Sequence, residues 1–198
     1  MRENIDIPIS LKDLQLARMA LKDTRAEEKL FCRVYPRIFK IAWLAVGDRR
    51  LAEDIAQVAA LQVFKSLDNF RGSGSIEAWA ERIAYRTAIR SIKKEKKKYS
   101  MHFSLTDDDI PHHETPEKAL SRRQLFETLI SKMERIPTKR RVPLLLHLAY
   151  GYTVAEVATL TETSPNTVKA RLKIGFRELR AILDEHPSLL AAIGEETR

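Results

Sequence analysis

The chain has 198 residues, of which 44% are hydrophobic and 31% are charged, and this balance excludes an intrinsically disordered protein. A formal net charge of +8 favours a polyanionic partner. The single cysteine, Cys32, excludes an internal disulfide, and no apolar run approaches the roughly 20 residues that span a bilayer, so we expect a cytoplasmic protein without membrane insertion.

Sparse glycine and proline, with little alternation of β-branched residues, predict an all-α fold. The first helical pattern is KLFCRVYPRIFKIAWLAV, which carries an apolar stripe between residues 30 and 45. Pro36 is expected to bend or interrupt this helix. Cys32 lies within the apolar stretch, so we expect a buried structural thiol.

The second predicted helix is RLAEDIAQVAALQVFKSL, and a loop, DNFRGSGS, follows it. The large apolar residues of this helix are expected to face the core, namely Leu51, Ile55, Val58, one of Ala59 and Leu61, and Leu67. A long helix is then predicted from Ile76 to about Lys98. At about 100° per residue, its basic side chains align on one face, namely Arg82, Arg86, Arg90, Lys93 and Lys97.

This basic face could neutralise several phosphates in succession. Trp79 and Tyr85 are interleaved with it, and Phe70 lies in the adjoining loop. Aromatic rings beside a basic track suit unstacked bases. Packing of Trp79 and Tyr85 in the core is an equal alternative.

The balance of charge reverses after the long helix. Residues 81–98 hold eight Lys or Arg and two Glu, whereas residues 104–117 hold five acids and no Lys or Arg. The second segment also contains two prolines and no apolar periodicity, which is typical of a linker. We therefore predict two small helical domains, 1–99 and 120–198, joined by an acidic flexible linker over 100–119.

The linker offers two weak candidates for metal sites. His112, His113 and Glu114 lack the spacing of zinc ligands, and the run Asp107–Asp109 lacks the glycine and glutamate of a calcium loop. No glycine-rich phosphate loop or nucleophile and base pair occurs either. We expect no metal, no cofactor and no enzymatic activity.

The second domain ends in two capped helices. After helices at about 119–134 and from Pro137 to a stop at Gly151, Thr153 and Glu156 form a capping box for a short helix to about Leu160. Ser164 and Pro165 then begin a helix that runs to about Glu185. Its apolar side is expected to hold Val168, Leu172, Gly175, Phe176, Leu179 and Leu183, and its basic side Asn166, Lys169, Ala170, Lys173, Arg177 and Arg180. This pattern is typical of a helix-turn-helix that reads DNA.

Two blocks of sequence resemble a known family. LAEDIAQ, followed by SLDNFRGSGSIEAWAERIAYRTAIRSIKK, resembles the first domain of bacterial extracytoplasmic-function (ECF) RNA polymerase sigma factors. IPTKRRVPLLLHLAYGYTVAEVATLTETSPNTVKARLKIGFRELRAIL is similar to their second domain. The resemblance covers about residues 25–185, and both blocks stand in the family's order.

The resemblance implies that the chain binds core RNA polymerase, through the β′ clamp helices and the β flap, and directs it to promoter DNA. It assigns polymerase binding to Asp54, Gln57 and Leu61. It assigns reading and melting of the −10 element to Phe70, Arg71, Ser73, Ser75, Trp79, Arg82, Arg86, Arg90, Lys93 and Lys94. It assigns reading of the −35 element to Thr153, Pro165, Asn166, Thr167, Lys169, Ala170, Arg171 and Lys173. An anti-sigma factor is a further implied partner.

Several positions depart from the family's pattern. Val58 and Ala60 stand where the family usually has Glu and an aromatic residue, and Arg86 and Arg90 replace an Asn and an Asp. The corner of the helix-turn-helix has Glu162 in place of Gly, which predicts strain or another form of turn. The alternative function is a stand-alone helix-turn-helix regulator, although no dimerisation helix or ligand domain is evident. A nucleic-acid enzyme is a third, weaker alternative.

Overall fold

The computed structural model describes the backbone of residues 10–102, 122–187 and 189, and the side chains of residues 10–94, 125–187 and 189. All regular secondary structure in these ranges is helical, as predicted. The α-helices are α1 (Leu11–Ala20), α2 (Thr24–Val46), α3 (Arg49–Lys65), α4 (Ile76–His102), α5 (Arg122–Lys132), α6 (Thr138–Tyr150), α7 (Val154–Thr161) and α8 (Pro165–Glu185). Short 3₁₀ helices cover Leu67–Asn69 and Met133–Arg135.

Helix α2 is the central helix of the first half and is capped by Asp23, whose side chain accepts from the Ala26 amide at 3.0 Å. Of the two effects expected of Pro36, a bend or an interruption, the interruption is wrong, because α2 runs through Pro36 without a break. Proline removes only one intrahelical hydrogen bond, and packing on both sides of Pro36 maintains the helix. The expected burial of Cys32 is also wrong, since this thiol is exposed.

Helix α3 packs on α2 and α4 through small residues. Ile55, Ala59 and Leu67 are buried as predicted, but Leu51, Val58 and Leu61 are 39%, 47% and 61% exposed. The buried face of α3 is built instead largely from alanine and valine, namely Ala52, Ala56, Ala59, Ala60 and Val63. Small side chains let the helices approach closely, so the larger apolar residues lie on the outer face.

Helix α1 packs on α2 and on the loop that precedes α4. The Ser10 amide donates to the Gly72 carbonyl at 2.8 Å, and the Ile76 amide donates to the Asp13 carboxylate at 3.1 Å. Asp13 is only 4% exposed and forms an ion pair with Arg33 of α2 at 2.7 Å. Helix α1 therefore contacts the chain on both sides of residues 73–75.

The second half is a bundle of α5 to α8 in which the predicted caps are confirmed. Thr153 and Glu156 form the capping box of α7, and the Ser164 side chain accepts from the Thr167 amide at 3.1 Å at the start of α8. Pro165 occupies the first turn of α8. Gly151 ends α6 in the left-handed conformation, with φ 68°.

The buried side of α8 follows the spacing Val168, Leu172, Gly175, Leu179 and Ile182. Phe176 was expected on this side but is 42% exposed. Buried residues of a helix recur every three or four positions, and Gly175 is already the buried residue of this turn. Phe176, the next residue, therefore points away from the core.

The two halves pack against each other. The Tyr152 hydroxyl, just before α7, lies 2.9 Å from the buried Glu81 carboxylate of α4 and 2.7 Å from the Lys40 ammonium of α2. Arg141 of α6 is 4% exposed and donates to the carbonyls of Leu44, Ala45 and Met133. Burial lowers the pKa of Arg141. A buried arginine thus connects the end of α2 to the second half.

The acidic segment 104–117, including His112, His113 and Glu114, lies outside the described residues, as does most of the C-terminal HPSLLAAIGEETR. The Lys97 side chain lies outside them too. None of the helices within the described ranges is long and apolar enough to cross a membrane.

Candidate nucleic-acid interface

A row of basic side chains runs along α4. Arg86, Arg90, Lys93 and Lys94 are exposed, and Arg82 is half-buried. Arg82, Arg86, Arg90 and Lys94 follow one another at intervals of four residues, or about 6 Å along the helix axis, and Lys93 lies beside Lys94. That spacing matches the approximate repeat of phosphates along an extended single strand. The row can therefore follow a nucleic-acid backbone.

A cleft of about 210 Å³ lies at the N-terminal end of this row. It is formed by the loop of residues 70–75, here called the cleft loop, and by the first turns of α4. The predicted residues that line it are Phe70, Arg71, Ser73, Trp79, Arg82 and Arg86. An aromatic wall, a hydroxyl and three guanidinium groups are suited to holding one unstacked base beside its phosphates.

Two of the three aromatic residues near the basic row are buried, and for Tyr85 core packing was one of the two alternatives that the sequence left open. Phe70 is only 3% exposed, and its ring centroid lies 5.4 Å from that of Trp79. Tyr85 is 7% exposed, and burial raises the pKa of its hydroxyl. Phe70 and Tyr85 therefore pack in the core, which leaves the half-buried Trp79 as the ring that a base can meet.

Ser75 has a role in folding that the sequence did not reveal. Its hydroxyl accepts from the Ala78 amide at 3.1 Å and so caps α4. Two further residues that line the cleft, Asn69 and Ile83, were missed. Asn69 had a local signal, because it stands in the loop sequence DNFRG, whereas Ile83 resembles any core position of a helix.

Arg86 is paired within the protein. Its guanidinium donates to both carboxylate oxygens of Glu162, the residue at the corner between α7 and α8. This hydrogen bonding lowers the pKa of Glu162 and raises that of Arg86. One member of the basic row is therefore occupied by a side chain of the second half, as a phosphate would occupy it.

A second exposed surface is formed by the start of α8. Pro165, Asn166, Lys169, Ala170 and Lys173 are exposed there, and Thr153 is exposed at the start of α7. Thr167 is half-buried, and its hydroxyl lies 2.8 Å from that of Ser164. Amide, ammonium and methyl groups on one exposed helical face can contact base edges and phosphates in a major groove.

Arg171 does not lie on this surface with Lys169 and Lys173. It is half-buried and close enough to Tyr85 to lower the pKa of that hydroxyl, against the larger effect of burial. Its Nη1 is buried and has no hydrogen-bond partner among the described residues. In this packing of the two halves Arg171 therefore faces α4, away from the exposed DNA-facing residues of α8.

The outer face of α3 is a third surface. Asp54 and Gln57 are exposed beside Leu51, Val58 and Leu61. Exposed leucine and valine between polar residues are typical of a protein-binding surface.

As for metals, no group of three or more candidate ligands occurs among the residues that the structure describes.

Comparison with known proteins assigns each half of the chain to a family. Residues 30–98, which run from α2 into α4, match the family described as Sigma-70 region 2. Residues 126–179, from α5 to α8, match Sigma-70 region 4. The two matches together cover more than half of the chain. This chain belongs to the ECF sigma factors.

The relatives of this sigma factor are similar over most of their length. RNA polymerase sigma-H factor of Pseudomonas aeruginosa is 27% identical over 180 residues, which is 86% of this chain and 92% of the relative. ECF RNA polymerase sigma factor SigW of Bacillus subtilis is 26% identical over 156 residues, 73% of this chain and 81% of SigW.

Two solved structures share the fold. The sigma factor RpoE of Bartonella quintana, in complex with the anti-sigma factor NepR, has a TM-score of 0.62 at 17% identity, over 79% of this chain and 96% of RpoE. CnrH, in complex with the cytosolic domain of CnrY, has a TM-score of 0.61 at 19% identity, over 88% of this chain and 98% of CnrH. These findings favour a sigma factor over a stand-alone helix-turn-helix regulator, which would leave the region 2 match without an explanation.

Proposed function

We propose that this sigma factor joins core RNA polymerase and directs it to promoters whose −10 element is opened at the cleft and whose −35 element is bound by α8. The observation that carries the proposal is the cleft beside Trp79, which leads directly into the basic row of α4. The bases of an intact duplex are stacked and cannot enter a cleft that holds one base. This geometry therefore favours binding of a strand that is being separated. Capture of one base would offset part of the few kcal/mol needed to unstack it.

Each surface has one proposed partner. The exposed face of α3, with Asp54, Gln57 and Leu61, would bind the β′ clamp helices of the polymerase, and the second domain would lie near the β flap. The cleft and the row Arg82, Arg86, Arg90, Lys93 and Lys94 would hold the non-template strand of the −10 element. The −35 duplex would meet Thr153, Pro165, Asn166, Thr167, Lys169, Ala170 and Lys173.

Arg171 belongs to this last set only if the two halves separate. It faces α4 in the present packing, where its Nη1 lacks a partner. Separation of the halves on the polymerase would release Arg171 toward the DNA.

The domain limits 1–99, 100–119 and 120–198 are part of the proposal, as is a cytoplasmic location. The polymerase would form the phosphodiester bonds, so the sigma factor would need no catalytic group or cofactor. Because RpoE and CnrH are each solved in complex with a partner, and NepR is an anti-sigma factor, we also propose an anti-sigma factor for this chain.

Reconstituted transcription tests the proposal. The sigma factor and core polymerase are incubated with a library of bacterial genomic fragments, and transcript ends are sequenced. We expect specific start sites with two shared upstream elements. Arg90→Glu should prevent strand opening, seen as lost permanganate reactivity of thymines near −10, and Lys169→Glu should weaken duplex binding at −35.

Arg18→Glu on α1 is the matched control, because it reverses an exposed charge outside all three surfaces. Each phosphate contact that is lost should reduce the slope of log affinity against log salt by about 0.9. Start sites that are the same with and without the sigma factor, or equal loss in all three variants, would contradict the proposal.

A further inference from the structure

We propose that Asp13 is a positioning residue for base capture, through which α1 fixes the cleft loop in the conformation that accepts the base. This inference rests on the proposed function and extends it to a helix that precedes both family matches, the first of which begins at residue 30. The contacts of α1 carry the inference.

Helix α1 holds the cleft loop at two points. The Ser10 amide donates to the Gly72 carbonyl at 2.8 Å, in the middle of the loop. The Asp13 carboxylate accepts from the Ile76 amide at 3.1 Å, where the loop joins α4. Between these points lie Ser73 and Ser75, and Ser73 lines the cleft. The hydroxyl of Ser73 is therefore placed by contacts from a helix about 60 residues earlier in the chain.

The cleft loop needs such contacts because its own backbone is permissive. Gly72 and Gly74 have φ values of 75° and 85°, which glycine adopts at little cost but also leaves easily. A loop with two glycines around one serine samples many conformations unless other groups restrain it. Restraint before the ligand arrives reduces the entropy lost on binding.

Capping of α4 alone does not explain why the Asp13 carboxylate is buried against the Ile76 amide. Ser75 already supplies a local cap through the Ala78 amide, and α4 continues for 27 residues. Asp13 instead satisfies the first amide of the helix from another element, at the cost of burying a carboxylate. The buried charge is balanced by Arg33, which also pairs with Glu77 in the first turn of α4. Arg33 therefore ties α2, Asp13 and α4 together at the edge of the cleft loop.

The state of ionisation agrees with this geometry. Burial opposes ionisation of Asp13, but hydrogen bonds from the Ile76 amide, Ser10 and Arg33 outweigh it and lower the pKa. Asp13 is thus a carboxylate at neutral pH, and its oxygens only accept hydrogen bonds.

The experiment compares base selection by reconstituted holoenzymes. Each holoenzyme is incubated with a randomised pool of single-stranded 12-nucleotide DNA, and the bound fraction is sequenced to give a preference ratio for the selected base. We expect Asp13→Ala to reduce this ratio about fivefold. Asp13→Asn should restore most of it, because the amide oxygen can still accept from Ile76.

Asp23→Ala is the control for loss of a carboxylate that accepts from a helix N-terminal amide, because Asp23 accepts from Ala26 at the start of α2 and not from the cleft loop. It should lower the melting temperature with no change in base preference. Binding to core polymerase and to duplex DNA should remain within about twofold of wild type for all variants.

Ser10→Pro tests the contact to Gly72 without changing a core residue. Ser10 has φ −82°, which proline accepts, so with little strain the substitution removes the hydrogen bond to Gly72, together with the hydrogen bond from the Ser10 hydroxyl to Asp13. We expect about a threefold lower preference ratio at an unchanged melting temperature. This variant also tests the positioning role of α1 if Asp13→Ala does not fold.

The outcomes distinguish a failure of base capture from a failure of the role of α1. A wild-type holoenzyme that selects no base would overturn the proposed capture at the cleft, and the role of α1 with it. A wild-type holoenzyme that selects a base, with Ser10→Pro and Asp13→Ala selecting it equally well, would overturn only the positioning role of Asp13 and α1.

Discussion

Glu162 holds a backbone conformation that few residues other than glycine adopt, with φ 53° and ψ 45°. Of the two alternatives that the sequence left open, strain at Glu162 or another form of turn, the left-handed φ agrees with the first, because the corner of the helix-turn-helix requires a left-handed residue at this position whichever side chain it carries. The conformation costs about 1 kcal/mol. Its carboxylate pairs with Arg86, which offsets part of that cost. Position 162 therefore combines an unfavourable backbone with a favourable side chain.

Substitutions at Glu162 should separate these two effects. Glu162→Gln keeps the strain and loses the ion pair, so the free energy of unfolding at pH 7 should fall by about 0.5 kcal/mol, as for an exposed pair. Glu162→Gly loses the same pair but removes the strain, and should be more stable than Glu162→Gln by about 1 kcal/mol. Urea unfolding measures both differences. A glycine variant less stable than the glutamine variant would contradict the assignment of strain.

The same pair predicts a dependence on pH. Arg86 lowers the pKa of Glu162 below its ordinary value of 4.5. The stabilisation is therefore fully present above about pH 4.5 and is lost as the pH falls through the lower pKa of the folded state. The difference in unfolding free energy between wild type and Glu162→Gln should shrink from pH 6 to pH 3, and Glu162→Asp offers a control that still titrates.

At the level of helices, the sequence predicted well the features that depend on neighbouring residues, and it predicted long-range packing less well. The caps at Thr153 and Ser164 and the stop at Gly151 are confirmed, because each depends on a few neighbouring residues. The inner face of α3 was predicted incorrectly, since periodicity gave weight to Leu51 and Val58. The faces that α2 and α4 present to α3 admit only small side chains, and that information is distributed over three helices.

The cap of α8 gives a prediction that separates helix stability from DNA contact. Ser164→Ala removes the hydrogen bond to the Thr167 amide and should cost about 1 kcal/mol in urea unfolding. Ser164→Asp keeps a capping oxygen, so stability should remain near wild type. Its negative charge at the end of α8 should nevertheless weaken binding to −35 duplex, measured by fluorescence anisotropy. Unchanged binding by Ser164→Asp would place this end of α8 away from the phosphates.

At the level of the whole molecule, the packing of the two halves was not predicted. Lys40 of α2, Glu81 of α4 and Tyr152 of the connection between α6 and α7 meet in one network, although none of them stands out in its own segment. Burial first, and then the neighbouring Glu81 carboxylate, raise the pKa of Tyr152. The sequence predicted two domains and a linker but contained no local signal for how the domains meet.

Removal of one hydroxyl should loosen this interface. Tyr152→Phe leaves the ring in place but deprives the buried Glu81 of a donor, so it should lower the free energy of unfolding by about 2 kcal/mol. The radius of gyration from small-angle X-ray scattering should rise as the halves separate more often. Tyr150→Phe is the control, because Tyr150 is 39% exposed and meets Lys40 through its ring. Equal effects of the two substitutions would show that the network does not hold the halves together.

The buried guanidinium of Arg141 has a consequence for α2. The last turn of α2 contains no basic residue, so the cation at its negative dipole end is Arg141 of the other half. When the halves part, the carbonyls of Leu44 and Ala45 lose both their donor and the compensating charge. The last turn of α2 should then fray into water, and faster amide exchange at Leu44 to Val46 would report that the two domains are apart.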